Sequence, residues 1–217
     1  MLHYDLGTYV RDYGRIHPRV LPWLQWRMPT SERVVHLTFD DGPLPGGTDQ
    51  ILRLLDTLGV CATFFCVGEH VERQPELVRQ ITEGGHAIAN HGYTHTNGWK
   101  LGAEAFVRNA DRAQALLPEP LQRTGLPPFR PPFGKITPAQ ARRLRGRYRL
   151  VMWDLMSGDF DPRTPPVRSA EFLVQRSRPG SILLFHDDAC SLALNREIIP
   201  RVVDGLRRKH FEFATII

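Results

Sequence analysis

Short apolar runs that alternate with stretches of helical spacing limit what this chain can fold into more tightly than any other feature. Val34 to Phe39, Val60 to Val67, His86 to Ala89, Tyr148 to Trp153, Ser181 to Phe185 and Phe211 to Ile216 read as strands, and a proline-rich approach ending in Phe129-Arg130 supplies another. Between the first two, Ile51, Leu52, Leu54, Leu55 and Leu58 recur at helical spacing until Gly59. Further helices are expected from Glu76 to Glu83, Ala103 to Leu117, Pro138 to Leu144, Arg168 to Ser177 and Asn195 to Lys209. About seven strands result, each parted from the next by a helix. Parallel strands need crossovers of that kind, so the alternation predicts an α/β fold on a parallel sheet, either closed as a barrel or open and doubly wound.

A length of 217 residues fits one core, and the prolines between Pro118 and Pro132 read as a loop within it because too little chain flanks them for two. With 41% hydrophobic and 24% charged residues the composition is that of a folded globular protein rather than a disordered one. No window reaches the roughly 18 consecutive apolar residues of a membrane span. Met1 to Thr30 has no basic start followed by an apolar core and cleavage site, which predicts a cytoplasmic protein unless a leader has been removed. Residues 1–32 carry Trp23 and Trp26 among prolines without a clear period and are expected to form a covering segment over a domain spanning 33–217. The charge of +5 comes largely from arginine runs at 142–149 and 207–209, which read as solvated helix ends. Neither run interleaves the aromatics that stack on bases, so nucleic acid is not an expected partner. Cys61 and Cys66 lie about 17 Å apart at strand rise, beyond the roughly 7 Å reach of a disulfide, and Cys190 reads as a small buried residue.

In parallel α/β architectures ligands gather beyond the carboxyl ends of the strands, and the unusual polar residues fall there. Asp40-Asp41 follows the first strand, His91 to His95 the third, Arg130 to Gly134 the fourth, Asp154 to Asp159 the fifth and His186-Asp187 the sixth. Asp40 and Asp41 alone could be the local acceptors of a Gly-Pro turn. His91 and His95 at i, i+4 would share one side of a helical turn, each offering a nitrogen to a metal. A carboxylate from another strand end completes a His₂Asp set with an open position, the composition of a catalytic divalent site, for which zinc fits best. An aspartate beside the ligating one could then act as general base on a water acidified by the ion.

These residues resemble the successive motifs of the polysaccharide deacetylases, the NodB-homology carbohydrate esterase family 4. Thr38-Phe39-Asp40-Asp41-Gly42-Pro43, His91-x-x-x-His95, Arg130-Pro131-Pro132-Phe133-Gly134 and Leu184-Phe185-His186-Asp187 carry the likeness in order, and it runs from about Val34 to the C-terminus. The resemblance implies a distorted (β/α) barrel of about seven parallel strands in a single domain. It further implies one divalent ion, zinc by preference, and removal of acetyl groups from an N-acetylglucosamine-containing glycan of the chitin or peptidoglycan type. Carried over, Asp41, His91 and His95 hold the metal, Asp40 is the base, Arg130 orients it, and His186 is the acid held charged by Asp159. The main-chain N–H of Phe133 meets the oxyanion, Leu184 lines the acetyl pocket, and Phe160 supplies an aromatic wall where the family has Trp. Gly92 replaces the family's usual Ser or Thr, and Phe133 its usual Tyr. Trp99, in Gly98-Trp99-Lys100, is either a sugar-stacking residue or an anchor beneath its loop. An O-acetyl esterase acting on xylan, a small-amide hydrolase and a silent glycan-binding member stand as alternatives.

Overall fold

A computed structural model describes residues 23–118 and 125–216. Strands β1 (Val34–Asp40), β2 (Thr63–Cys66), β3 (Ala87–Asn90), β4 (Pro128–Phe129), β5 (Arg149–Leu150), β6 (Leu155–Met156), β7 (Ile182–His186) and β8 (Glu212–Phe213) form one sheet. Seven lie in the order β5-β4-β3-β2-β1-β7-β6, all paired in parallel, and β8 adds in parallel to β1. The helices are α1 (Thr48–Leu58), α2 (Gly68–Arg73), α3 (Pro75–Glu83), α4 (Ala103–Gln114), α5 (Pro138–Leu144), α6 (Pro166–Arg176) and α7 (Leu192–Arg208).

Topology forces the sheet to curl. β5 and β6 stand at its opposite edges, yet only residues 151–154 join them. Five extended residue steps reach no more than about 18 Å, whereas the edges of a flat seven-stranded sheet would lie about 29 Å apart at the usual strand spacing. The sheet therefore closes most of the way round into a half-barrel. No helix separates β5 from β6, a departure from the strict alternation read in the sequence. Two-residue strands carry too little chain to show a period, so the expected strand from Tyr148 to Trp153 conceals this crossing.

Alternation along the central strands sorts side chains between two cores. Val35, Leu37 and Phe39 of β1, Phe64 of β2 and Leu183 and Phe185 of β7 face outward and pack with α1, α6 and α7 residues such as Leu55, Leu173 and Val202. Phe65, Ile182 and Leu184 belong to the inner core with Phe129, Met152 and Trp153. The same two-residue period puts Asp40 and His186 on the inner face at the strand ends, where they are register partners on adjacent strands.

Residues 1–22 of the expected covering segment lie outside the described residues. The part that is described straps the open side of the barrel: the Gln25 N–H donates to Leu150 O at 2.8 Å, the Met152 N–H to Gln25 O at 2.8 Å, and the Met28 N–H to Gly180 O at 2.8 Å. Leu24 and Trp26 are buried in the inner core. Arg142 and Arg143 fall in the last turn of α5 and Arg207 and Arg208 in that of α7, as a helix dipole favours. The three cysteines are unbridged, and Cys190 is exposed on a turn rather than buried.

Because Trp26 fills the inner core from the strap, Trp26→Ala should cost about 3 kcal/mol of stability in urea unfolding. A loss below about 1 kcal/mol would show the strap to be dispensable to the core.

Candidate active site

β1 delivers the two aspartates in different ways. Asp40 ends the strand, 4% exposed, and receives the Arg130 guanidinium at 2.6 Å from Nη1 to Oδ1. Asp41 takes a left-handed backbone, φ 83°, which turns its carboxylate back over the rim instead of out along the next strand position. This backbone twist is what lets the two adjacent carboxylates converge on one pocket. The Asp41 carbonyl accepts from His70 Nδ1 at 2.7 Å. The neighbouring Gly42 N–H donates to Asp187 Oδ1 at 2.9 Å, and Asp187 Oδ2 accepts from the Thr48 hydroxyl at 2.6 Å. The turn is thus clamped from α2 on one side and from the end of β7 on the other. Burial pushes the Asp187 carboxyl up to about 7 against that hydroxyl's pull.

His91 and His95 follow β3 in an irregular loop, not on a helical turn as their spacing suggested. Gly92 between them adopts φ 80°, which no continuing helix allows. The loop is fixed by Asn109 of α4, which accepts from the Tyr93 N–H at 2.8 Å and donates to the Thr94 hydroxyl at 2.7 Å. His91 Nδ1 donates to Arg130 O at 2.8 Å, which fixes the tautomer and leaves Nε2 facing the rim.

The nitrogens converge on one oxygen. Asp41 Oδ1 lies 3.4 Å from His91 Nε2 and 3.0 Å from His95 Nε2, and all three donor atoms fall within 4.8 Å of one another. That oxygen is buried and has no hydrogen bond of good geometry. Burial alone would raise the Asp41 carboxyl, but the two imidazoles outweigh it and hold the group well below the usual carboxylate range. An ionised oxygen with two imidazole nitrogens around it fits a divalent ion, and two nitrogens with one carboxylate suit zinc better than calcium or magnesium.

Arg130 is fully buried, lies 3.9 Å from the Phe65 ring centroid, and donates to Thr38 Oγ1 at 2.9 Å and Met152 O at 2.9 Å as well as to Asp40. Across the cleft His186 Nδ1 donates to Asp159 Oδ1 at 3.0 Å. Asp159 is held in turn by the Ser157 hydroxyl, the His186 N–H and Asn195 Nδ2 at 2.9, 2.7 and 3.0 Å. Burial would lower the imidazolium, yet Asp159 overrides it, with Asp41 and Asp40 adding their charge, and the pKa of His186 is pushed up to about 10.

These groups face a cleft of about 390 Å³ whose wall also carries Leu184, Phe133 and Phe160. Phe133 has φ 59°, its ring lies 4.3 Å from that of His95, and its N–H has no acceptor among the described residues. The Phe160 ring meets His186 edge-on at 5.3 Å. Trp99 does not line this cleft. It is 66% exposed, so it is no anchor beneath its loop. Sequence reasoning missed the clamps: His70 acts through a backbone carbonyl and has no motif, Asp187 lies inside a quoted motif without an assigned part, and Asn195 sits in a helix with nothing to mark it.

A polysaccharide deacetylase family pattern matches residues 27–147. A peptidoglycan-N-acetylglucosamine deacetylase of Bacillus cereus is 29% identical over 196 residues, covering 89% of this chain and 91% of that protein. A chitooligosaccharide deacetylase of Rhizobium leguminosarum bv. trifolii is 33% identical over 162 residues, 73% of each chain. Among solved structures, the Bc1960 peptidoglycan N-acetylglucosamine deacetylase superposes with a TM-score of 0.81 at 27% identity, covering 93% of this chain and 94% of the other.

If His70 holds Asp41 in its left-handed turn, His70→Ala should weaken zinc affinity about ten-fold in competition with a chromogenic chelator. Unchanged affinity would remove His70 from the support of the site.

Proposed function

Since this chain belongs to the polysaccharide deacetylase family and is a hydrolase of carbon–nitrogen bonds other than peptide bonds, we propose that it removes N-acetyl groups from an N-acetylglucosamine-containing glycan of the chitin or peptidoglycan type. Asp41, His91 and His95 would hold one divalent ion, zinc by donor set, and residues 33–217 would form the catalytic domain. When bound, such an ion acidifies water and polarises a carbonyl.

This chain's own residues supply the rest. Asp40, held in place by the Arg130 guanidinium, takes the proton of the attacking water. Arg130 is itself pinned by Thr38 and Met152, so the carboxylate cannot swing away from the cleft. The Phe133 N–H would donate to the oxygen that gains charge as the acetyl carbon becomes tetrahedral, and Leu184 would pack against the methyl. His186, charged by Asp159, donates from Nε2 to the departing nitrogen, after which the amine leaves and acetate remains. The observation that carries this reading is that a cation-held carboxylate and a carboxylate-held imidazolium face one cleft beside a three-donor set. Glycan binding alone requires neither proton carrier.

The aspartates should separate in mutants. Asp41→Asn should lose metal, whereas Asp40→Asn should keep it and lose roughly 10²-fold or more of kcat as a missing base. Equal metal loss in both, measured by elemental analysis, would undo the division of roles.

For His186 the sign of the pH effect follows from its raised pKa. It must be protonated to act, so kcat/KM on an N-acetyl sugar should fall on the alkaline side. The pKa of about 10 sets the upper position of that limb, because a bound cation cancels the share that Asp41 contributes. The stability gained from the charged imidazole is complete below its unfolded pKa of about 6.5 and is lost as pH rises through the folded value. An amine leaves poorly unless protonated while a phenolate needs no help. His186→Ala should therefore lose roughly 10²-fold or more on the amide and far less on an aryl acetate. Equal losses on both substrates would mean that His186 is not the acid.

A further inference from the structure

Beyond the cleft, the aromatic wall continues to a cation. The Phe133 ring borders His95, Lys135 Nζ lies 5.8 Å from the centroid of that ring, and the same ammonium lies 5.0 Å from the centroid of the Trp99 ring. Phe133 and Trp99 are 55% and 66% exposed, large apolar faces that cost free energy to leave in water unless something covers them. Lys135 sits between them and pairs with no carboxylate among the described residues.

The arrangement is built rather than incidental. Gln140, fully buried, ties the Trp99 turn down by donating to Gly98 O at 2.7 Å and Leu101 O at 2.9 Å. Asn97 Oδ1 accepts from the Trp99 N–H at 3.0 Å. A Cβ on Gly98 would stand 2.2 Å from the Lys135 carbonyl, so only glycine lets the turn lie against that strand of backbone and bring Trp99 beside the ammonium. Gln140 also closes a capping box with Thr137 on α5, so the turn is locked to a helix end.

We propose that Lys135, between Trp99 and Phe133, forms a subsite for a carboxylate carried by the sugar next to the one being deacetylated. The substrate class is then an acidic glycan of the peptidoglycan kind rather than neutral chitin. Sugar rings lay their C–H faces on aromatic rings, and a lysine ammonium presented between two such rings adds a point charge for which a neutral polymer has no use. In peptidoglycan every second sugar bears a lactyl group ending in a carboxylate or in an acidic peptide. In chitin no sugar does. The inference rests on the deacetylase reading and narrows it.

The test uses the full metal-loaded chain and two tetrasaccharides, one of N-acetylglucosamine alone and one alternating it with a lactyl-bearing sugar whose carboxylate is free. Binding is followed by calorimetry and, separately, turnover by acetate release, for the parent, Lys135→Gln and Lys135→Glu. The parent should favour the acidic tetrasaccharide, and added salt should shrink that preference. Lys135→Gln should lower the acidic-to-neutral affinity ratio about five-fold and Lys135→Glu further, as removal and reversal of one partly exposed charge imply. An unchanged ratio in both variants overturns the subsite. Acetate release without charge preference retires the subsite and leaves the deacetylase reading intact. Charge-dependent binding without acetate release keeps the subsite and retires that reading.

Discussion

Everything at the rim depends on the ion pair between Arg130 and Asp40. A guanidinium with no solvent exposure is expensive to bury, and it is tolerated here because each of its edges is satisfied: Asp40 and Thr38 from β1, the Met152 carbonyl from the crossing between the sheet's edges, and the face of Phe65 from β2. One side chain therefore joins the centre of the sheet to the segment that closes it. Removing either partner would strand a buried charge, at a cost of about 3–5 kcal/mol. The pair also fixes chemistry, because the Arg130 carbonyl orients His91 through its Nδ1 while the same residue's guanidinium holds Asp40. Asp40 and His91, the proposed base and one proposed metal ligand, are set by two ends of one arginine.

Asp41 carries the strain that this frame makes affordable. A non-glycine residue at φ 83° costs on the order of 1–3 kcal/mol and persists only where its surroundings over-determine it. Here the His70 imidazole fixes its carbonyl and Asp187 fixes the next N–H. The gain is geometric. An aspartate in regular strand conformation after Asp40 would face the helices, away from His91 and His95. The left-handed turn brings the carboxylates of adjacent residues, the proposed ligand and base, to one side of the sheet.

What the sequence revealed and what it hid divide along physical lines. Asp40, Asp41, His91, His95, Arg130 and His186 were legible because polar residues rarely end apolar strands and because parallel strands bring their ends to one rim. The sense of the His91–His95 loop was not, since i, i+4 spacing suits a helical turn and an irregular loop around Gly92 equally well. The crossing from β5 to β6 was hidden by strands of two residues. His70, Asn109 and Gln140 act through side-chain hydrogen bonds from helices whose periodicity reports only burial. Trp99 could not be assigned because an anchoring and a sugar-facing tryptophan look the same in one dimension. Exposure separates them.

Asp40 and His186, the proposed proton carriers, are held by partners of opposite charge, the carboxylate by a guanidinium and the imidazole by a carboxylate. Asp159 favours the charged form of His186, so that imidazole keeps its proton until the solution is strongly alkaline. Had an arginine stood in place of Asp159, the imidazole would have been pushed toward losing its proton. Register completes the arrangement: Asp40 and His186 are paired positions on adjacent strands, so both side chains reach the cleft from the inner face. Under the proposed reaction the acceptor would serve the attacking oxygen and the donor the leaving nitrogen, and the direction of proton flow would follow from which strand end carries the cation and which the anion.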